Sequence, residues 1–200
     1  MTPNPEPAYA CPYCSERFST FDTLRDHIFD RHAGEALPRP AGQIKLTVNG
    51  EEYELQVEPN TTLQEVIHDR LGFTGVKLFC DRGACGACTV IADNRPQLSC
   101  MMLAIECDGM HIETAEGIAA SGHPLIDSYV RHHCMQCGFC TPGFVTTAKA
   151  LLDKNSDPSE DEIREALSGN LCRCGTYQQH PKAVMDAAKL LRKEGQQHGC

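Results

Sequence analysis

The hydrophobic pattern along the chain changes period twice. Over residues 44–57 apolar and polar side chains alternate, in two stretches that flank Asn49-Gly50. Alternation marks a half-buried strand, and Asn-Gly between two such runs is a strong signal for a tight hairpin. From Thr61 the period lengthens: Leu63, Val66, Ile67 and Leu71 recur at helical spacing, with Gly72 as a stop. After a loop rich in Gly and Cys at 79–88, short apolar runs near 89–92 and 111–114 predict two further strands. From residue 118 the pattern turns helical. Residues 124 to about 133 put Leu125, Ile126, Tyr129 and Val130 on one face. Thr141-Pro142 reads as an N-cap followed by proline at the first helical position, in a helix running to Asp153. Ser159 with Glu162 forms a capping-box pattern for a helix through Leu167, and Pro181 opens a last helix with Val184, Ala188 and Leu191 in phase. The chain is therefore predicted to be α+β: a small sheet domain over 43–117, then an all-α domain of four short helices over 118–200.

Ahead of these lies a different kind of segment. Residues 1–10 are Pro-rich, 11–32 hold a compact Cys/His constellation, and 33–42, with two Pro, two Gly and no periodicity, read as a linker. Residues 1–40 are thus predicted to be a separate small module.

Composition changes the picture in one respect. Trp is absent, aromatics make up 6% of the chain, and Cys occurs 13 times. Small domains short of large apolar side chains need another staple, and an odd number of Cys cannot all pair as disulfides. The N-terminus shows no apolar signal-peptide core or twin arginine, and no run approaches membrane-spanning length. The sequence thus reads as cytoplasmic, where reduced Cys clusters bind metal. The net charge is −9, with 5 basic against 12 acidic residues over 41–117. That balance argues against nucleic acid as a partner.

The cysteines fall into spacings with chemical meaning. Cys80-x4-Cys85-x2-Cys88, with Cys100 after eleven intervening residues, is the plant-type ferredoxin pattern. A [2Fe-2S] core needs four thiolates, two per iron; Gly83 and Gly86 let the loop bend and bring N–H groups to the sulfurs. A structural zinc site is the competing reading, but such sites are usually built from two C-x2-C knuckles. Cys137-x2-Cys140 and Cys172-x-Cys174 make a second set of four, with Cys140 just before the expected N-cap Thr141, where free N–H groups favour an anionic group. Zinc competes here too, as does a [4Fe-4S] site on Cys134, Cys137 and Cys140, whose fourth Cys would fall at 144, where Phe stands.

The motifs FCDRGACGACTV, LSCM, QCGFCTPG and GNLCRCGTY, in this order, closely resemble the iron–sulfur subunit or N-terminal domains of the xanthine dehydrogenase, aldehyde oxidoreductase and carbon monoxide dehydrogenase family. The resemblance spans about residues 43–192. It implies a ferredoxin-like β-grasp domain and a four-helix domain, each with one [2Fe-2S] cluster. It also implies an electron-transfer subunit that passes electrons from a molybdenum–pterin site on a large subunit to FAD on a medium subunit or to an external acceptor. Cys137, Cys140, Cys172 and Cys174 would hold the cluster nearer the molybdenum, and Cys80, Cys85, Cys88 and Cys100 the outer one. Gln136 matches the position that hydrogen-bonds the pterin; a tie within the loops is the alternative. The chain itself carries no substrate chemistry and no catalytic residue. A redox-sensing regulator and a free-standing carrier are the other two function classes.

The N-terminal constellation, Cys11-x2-Cys14-x12-His27-x4-His32, fits a C2H2 zinc finger of ββα form, with Phe18 and Leu24 as its small core. Asp22, Asp26 and Asp30 on its expected helix favour docking or assembly over base reading. Cys107, Cys134 and Cys200 fit no set and read as small buried residues or free thiols. His132-His133 read as complements to a helix C-terminus. His68, His111, His123, His180 and His198 have no partner by spacing.

Overall fold

The structure is a computed structural model that describes residues 9–34 and 42–197. The chain divides into two compact units, Met1–Pro40 and Ala41–Cys200.

In the first unit, β1 (Tyr9–Ala10) pairs antiparallel with β2 (Arg17–Phe18), and α1 (Phe21–Arg31) follows. Thr20 caps α1 by accepting from the Thr23 N–H at 3.3 Å. The buried apolar side chains among its described residues are Cys11 and Leu24. So little apolar burial cannot offset the entropy of ordering the segment.

The second unit opens with a mixed sheet in the order β4 (Glu51–Val57), β3 (Gly42–Val48), β7 (His111–Glu113), β5 (Thr89–Ala92), β6 (Arg95–Leu98). The strands β3 (Gly42–Val48) and β4 (Glu51–Val57) form the expected hairpin, with Asn49 and Gly50 both at positive φ. Thr62 and Glu65 form a capping box on α2 (Leu63–Glu65), which continues as a wider π-helical turn, Val66–Arg70, ending at Gly72 with φ 80°. Leu63, Val66 and Ile67 are fully buried under the sheet, with Ile44, Leu46, Val48, Val90 and Ile112. After β5 (Thr89–Ala92), Asp93 and Asn94 turn at positive φ into β6 (Arg95–Leu98), a strand the hydrophobic pattern did not predict. Its residues are exposed or half-buried because β6 is the sheet edge, where Pro96 can lack an N–H without breaking a ladder. β7 (His111–Glu113) lies between β3 and β5, parallel to the former.

The expected four helices are five among the described residues. The addition is α3 (Ala115–Ala120), which carries a single large apolar side chain, Ile118, too little to show a period. It spans the expected division at 117/118. α4 (Leu125–Arg131), α5 (Thr141–Lys154), α6 (Glu160–Ala166) and α7 (His180–Gln197) complete the bundle. Ser159 and Glu162 form the anticipated capping box. The N-cap of α5 is Cys140, one residue earlier than expected, and Pro142 falls in its first turn. The bundle core gathers Ile118, Leu125, Tyr129, Phe144, Ala148, Ile163, Ala183 and Val184.

The two halves of this unit share a tight seam. α5 packs along β5, and Lys149 on α5 reaches Glu113 of β7 at 3.5 Å and Asp153 at 2.6 Å. At the start of α5, a methyl group on Gly143 would overlap the Gly86 carbonyl oxygen. Gly143→Ala is expected to force the helix off the first cysteine loop and cost roughly 1–3 kcal/mol, the usual range for overpacking. Thermal denaturation of the purified variant reads this as a lower midpoint; an unchanged midpoint would show that the seam yields freely.

Candidate iron–sulfur and metal centres

The first set of cysteines sits on the loop between the helical turn and β5. Asp81, Gly83 and Gly86 all take positive φ, curling the backbone around the sulfurs. The Ala84 N–H points at Cys80 Sγ at 3.3 Å. Cys85, Cys88 and Cys100 are buried and Cys80 is half-buried. Cys100 arrives on a short turn whose register is fixed by Ser99: its N–H and its hydroxyl both donate to the Cys88 carbonyl, at 3.3 and 2.7 Å. The sulfurs meet in twos. Cys80 interacts with Cys85, and Cys88 with Cys100. Burial pushes the Cys88 thiol up to about 11. Burial pulls Cys80 the same way, but the N–H groups of Arg82, Ala84 and Cys85 and the Cys85 side chain outweigh it and bring Cys80 down to about 7.

The second set lies on the loops around the start of α5 and before α7. Again the sulfurs meet in twos, Cys137 with Cys174 and Cys140 with Cys172. Cys137 is exposed, and the Phe139 N–H lowers its thiol. Burial lifts Cys140 to about 12. Burial would also raise Cys172, yet the Thr176 hydroxyl and N–H, the Cys140 side chain and the Gly175 N–H bring it to about 7. Tyr177 accepts from the Cys172 N–H at 2.7 Å. This set borders a cavity of 640 Å³ that Cys85 and Ala87 of the first loop also line, with the exposed rings of Phe79 and Phe139 beside it. Gln136 is exposed; its amide donates to the Cys174 carbonyl at a long 3.5 Å.

Two hydrogen bonds join the loops, one between backbones and one from a side chain. The Leu171 N–H donates to the Cys85 carbonyl at 2.9 Å, and the Asn170 amide donates to the Gly86 carbonyl at 3.0 Å. Asn170 is 4% exposed.

The N-terminal set has another geometry. One ligand atom each from Cys11, Cys14, His27 and His32 lies within 4.8 Å of all the others. Among the described residues no other group of three or more metal-ligating side chains gathers so closely. His27 turns Nε2 toward Cys14 Sγ at 3.4 Å and Nδ1 toward Glu16 at 3.6 Å. Phe18 and Tyr13 pack on the rings of His27 and His32.

Comparison with known proteins now has a geometry to explain. Residues 46–105 match the family model described as a 2Fe-2S iron–sulfur cluster binding domain, and 114–194 the one described as a [2Fe-2S] binding domain. The nicotinate dehydrogenase small FeS subunit of Eubacterium barkeri is 48% identical over 67% of this chain and 87% of its own length. The chain belongs to the small iron–sulfur subunits of the molybdenum hydroxylases. A second member of that group, the nicotine 6-hydroxylase small subunit of Paenarthrobacter nicotinovorans, is 42% identical over 75% of this chain and 93% of its own. The crystal structure of quinoline 2-oxidoreductase from Pseudomonas putida 86 contains a chain that matches with a TM-score of 0.73 and 41% identity, over 76% of this chain and 97% of that one. This small subunit is thus a [2Fe-2S] electron-transfer component of a multi-subunit oxidoreductase.

Spacing found the sulfurs but missed what holds them. Ser99, Asn170, Thr176 and Tyr177 lie inside or beside the quoted motifs, where a signal existed; His180 carried none. The buried thiols of Cys107 and Cys134, both raised to about 11 by desolvation, sit in the two apolar cores. Beyond the helix dipole, His132 has a specific partner, Asp186, at 3.3 Å, which Arg131 also reaches. Cys200 and His198 lie outside the described residues. Asn170→Ala should retain all the iron yet lose about 0.5–1.5 kcal/mol, the usual worth of one hydrogen bond, since the Gly86 carbonyl keeps the Thr89 hydroxyl as a donor at 2.7 Å. Iron content and a thermal melt on one preparation check this; an unaltered melt would mean that the amide contributes nothing to the seam.

Proposed function

We propose that Cys80, Cys85, Cys88 and Cys100 hold one [2Fe-2S] cluster in a ferredoxin-like domain over 43–117. Cys137, Cys140, Cys172 and Cys174 hold the other in the helical domain over 118–200, and Cys11, Cys14, His27 and His32 hold a zinc ion in a finger within residues 1–40. When bound, the clusters supply one-electron carriers between a molybdenum–pterin site on a large partner subunit and FAD on a medium subunit or an external acceptor.

The carrying observation is the match of residues 46–105 and 114–194 to two [2Fe-2S] binding domains, each containing one four-cysteine set. A two-iron core takes four thiolates, two per iron, and neither set gathers as closely as the N-terminal ligands do. The chain supplies the rest of the environment. Peptide N–H groups at Cys80 and Cys172 stabilise thiolate, and Cys140 stands at the N-terminus of a fourteen-residue helix, whose unpaired N–H groups favour negative charge. The Cys85 carbonyl, the Leu171 N–H and one peptide unit connect a ligand of one set to Cys172 of the other, a short bonded route between the centres.

Exposed Phe79, Phe139, Leu171 and Tyr177 form an apolar belt beside the second set, suited to burial under the large subunit. Gln136 stands exposed on that same loop and serves as the pterin-facing amide. Its long bond to Cys174 is the kind a better acceptor displaces. No helix among the described residues is long and apolar enough to cross a membrane, and we place the assembly in the cytoplasm.

In the finger, donor atoms within 4.8 Å suit a tetrahedral ion with bonds of about 2.0–2.3 Å. A carboxylate facing the far nitrogen of His27 is the usual partner of a zinc-bound imidazole. Arg25, central on α1, is engaged by Asp22 at 3.0 Å and Asp26 at 2.9 Å, which leaves little free charge for phosphate. Docking to protein is the better use of this surface.

Metal analysis of the complex purified from its host should give about four iron and one zinc per copy of this chain, with molybdenum co-purifying. Cys137→Ser should remove about half the iron and one of two [2Fe-2S] signals in electron paramagnetic resonance. Loss of both signals, or of neither, would break the assignment. Cys14→Ser should release the zinc while the iron and the two signals stay; zinc retained in that variant would place it elsewhere.

A further inference from the structure

Two side chains outside the ligand sets lead from Cys172 into the bundle core. Thr176 Oγ1 lies 3.2 Å from Cys172 Sγ and 3.2 Å from His180 Nε2. Thr176 is 3% exposed and His180 1%. The imidazole is stacked flat on Phe144, with centroids 4.0 Å apart and planes 5° from parallel, and the Tyr129 ring sits 5.5 Å away. Its Nδ1 is buried with no hydrogen-bond partner among the described residues. The ring is thus held by packing, and its polar contact is made through Nε2.

The proton count decides the direction of these bonds. A threonine hydroxyl has one hydrogen to give and can accept as well. A metal-bound thiolate only accepts. His180 is neutral, since burial lowers it to about 4, so one ring nitrogen carries hydrogen and the other does not. If that hydrogen is on Nε2, the imidazole donates to Thr176 Oγ1 and the hydroxyl proton is free for Cys172 Sγ. The opposite tautomer would bury an unmet N–H at Nδ1 and turn the hydroxyl away from the sulfur. The first arrangement satisfies the charged acceptor, the stronger demand in a low-dielectric core.

We propose that His180 is a positioning residue that aims the Thr176 hydroxyl at Cys172 Sγ, and that this donor chain raises the reduction potential of the helical-domain cluster. The inference rests on Cys172 being a ligand of that cluster. Reduction adds one electron and one negative charge to the centre. A hydrogen bond to a ligand sulfur stabilises the reduced form over the oxidised one, so the potential rises. The ferredoxin-like cluster, whose ligands His180 does not approach, is left alone. The relay therefore sets the difference between the two centres, and with it the driving force for transfer from one to the other.

The test is a redox titration of the intact complex followed by electron paramagnetic resonance, which reads each cluster separately without turnover. Thr176→Val should lower the midpoint of the helical-domain signal, changing its oxidised-to-reduced ratio at fixed potential about tenfold, equivalent to 59 mV for a one-electron couple. His180→Phe, which can keep the stack on Phe144, should shift the same signal the same way by a smaller amount. Thr176→Ser and His180→Gln retain a hydroxyl and an N–H donor and should return most of the shift. The other signal should not move. Unchanged midpoints in Thr176→Val and His180→Phe, with both signals present, would overturn the relay while leaving the cluster assignment standing. A wild-type complex that shows one [2Fe-2S] signal alone would overturn the assignment, and the relay with it.

Discussion

The contact on which the rest of this subunit depends is the pair of hydrogen bonds between its two cysteine loops, one backbone to backbone and one from the Asn170 side chain. Leu171 to Cys85 and Asn170 to Gly86 are ordinary hydrogen bonds, at 2.9 and 3.0 Å, but they join segments more than eighty residues apart in sequence. Each loop also has to lack side chains where the other passes. A side-chain carbon on Gly86 would come within 2.6 Å of both the Asn170 amide nitrogen and the Gly169 carbonyl oxygen, and Gly143 faces the Gly86 carbonyl directly. The seam therefore holds two redox sites at one separation instead of two domains on a flexible tether. Electron transfer depends steeply on distance, so a rigid seam has a functional meaning that a stability argument alone would miss.

Around each proposed centre the chain solves the same electrostatic problem. Four thiolates carry a large negative charge, and burial alone drives thiols such as Cys88 and Cys140 well above neutrality. What lowers Cys80 and Cys172 is peptide N–H groups, the Thr176 hydroxyl and the neighbouring Cys85 and Cys140 side chains. Backbone dipoles have an advantage here. They are fixed by the fold, they do not titrate, and they cannot swing out to solvent when the charge of the site changes. The positive-φ residues Asp81, Gly83, Gly86, Gly138 and Gly175 are the conformational counterpart, since only a tightly curled backbone turns successive N–H groups inward.

Much of this was legible in the sequence because ligand spacing is a local property. The Cys80 to Cys88 loop, the C-x2-C and C-x-C pairs and the Asn49-Gly50 hairpin all lie within a few residues of themselves, as does the capping box at Ser159. What escaped was either edge or tertiary. β6 is polar because it is exposed at the rim of the sheet, so its alternation never shows, and α3 has one buried anchor and no period. Cys140, not Thr141, caps α5, since a ligand loop and a helix start can share a residue. His180 looked like one of several stray histidines. Only the packing of α7 against α5 brings its ring onto Phe144 and its Nε2 to a hydroxyl beside a ligand sulfur.

The three four-ligand sets differ in donor type and spacing, which is how one chain could sort metals with similar donors. Cysteine sulfur binds zinc and iron alike, and affinity alone would not keep them apart. Geometry does. In the N-terminal unit two cysteines and two histidines close on one point, too tight for two irons and two bridging sulfides but right for a single tetrahedral ion. The other two sets are all cysteine and gather less closely, as four thiolates around a proposed two-iron core require. The mixed donor set of the finger adds a second filter, because two neutral imidazoles leave less negative charge than four thiolates. The zinc ion proposed there would hold the module together without redox chemistry of its own. A module of that kind can serve as a docking element beside two electron carriers without becoming a third stop on their path.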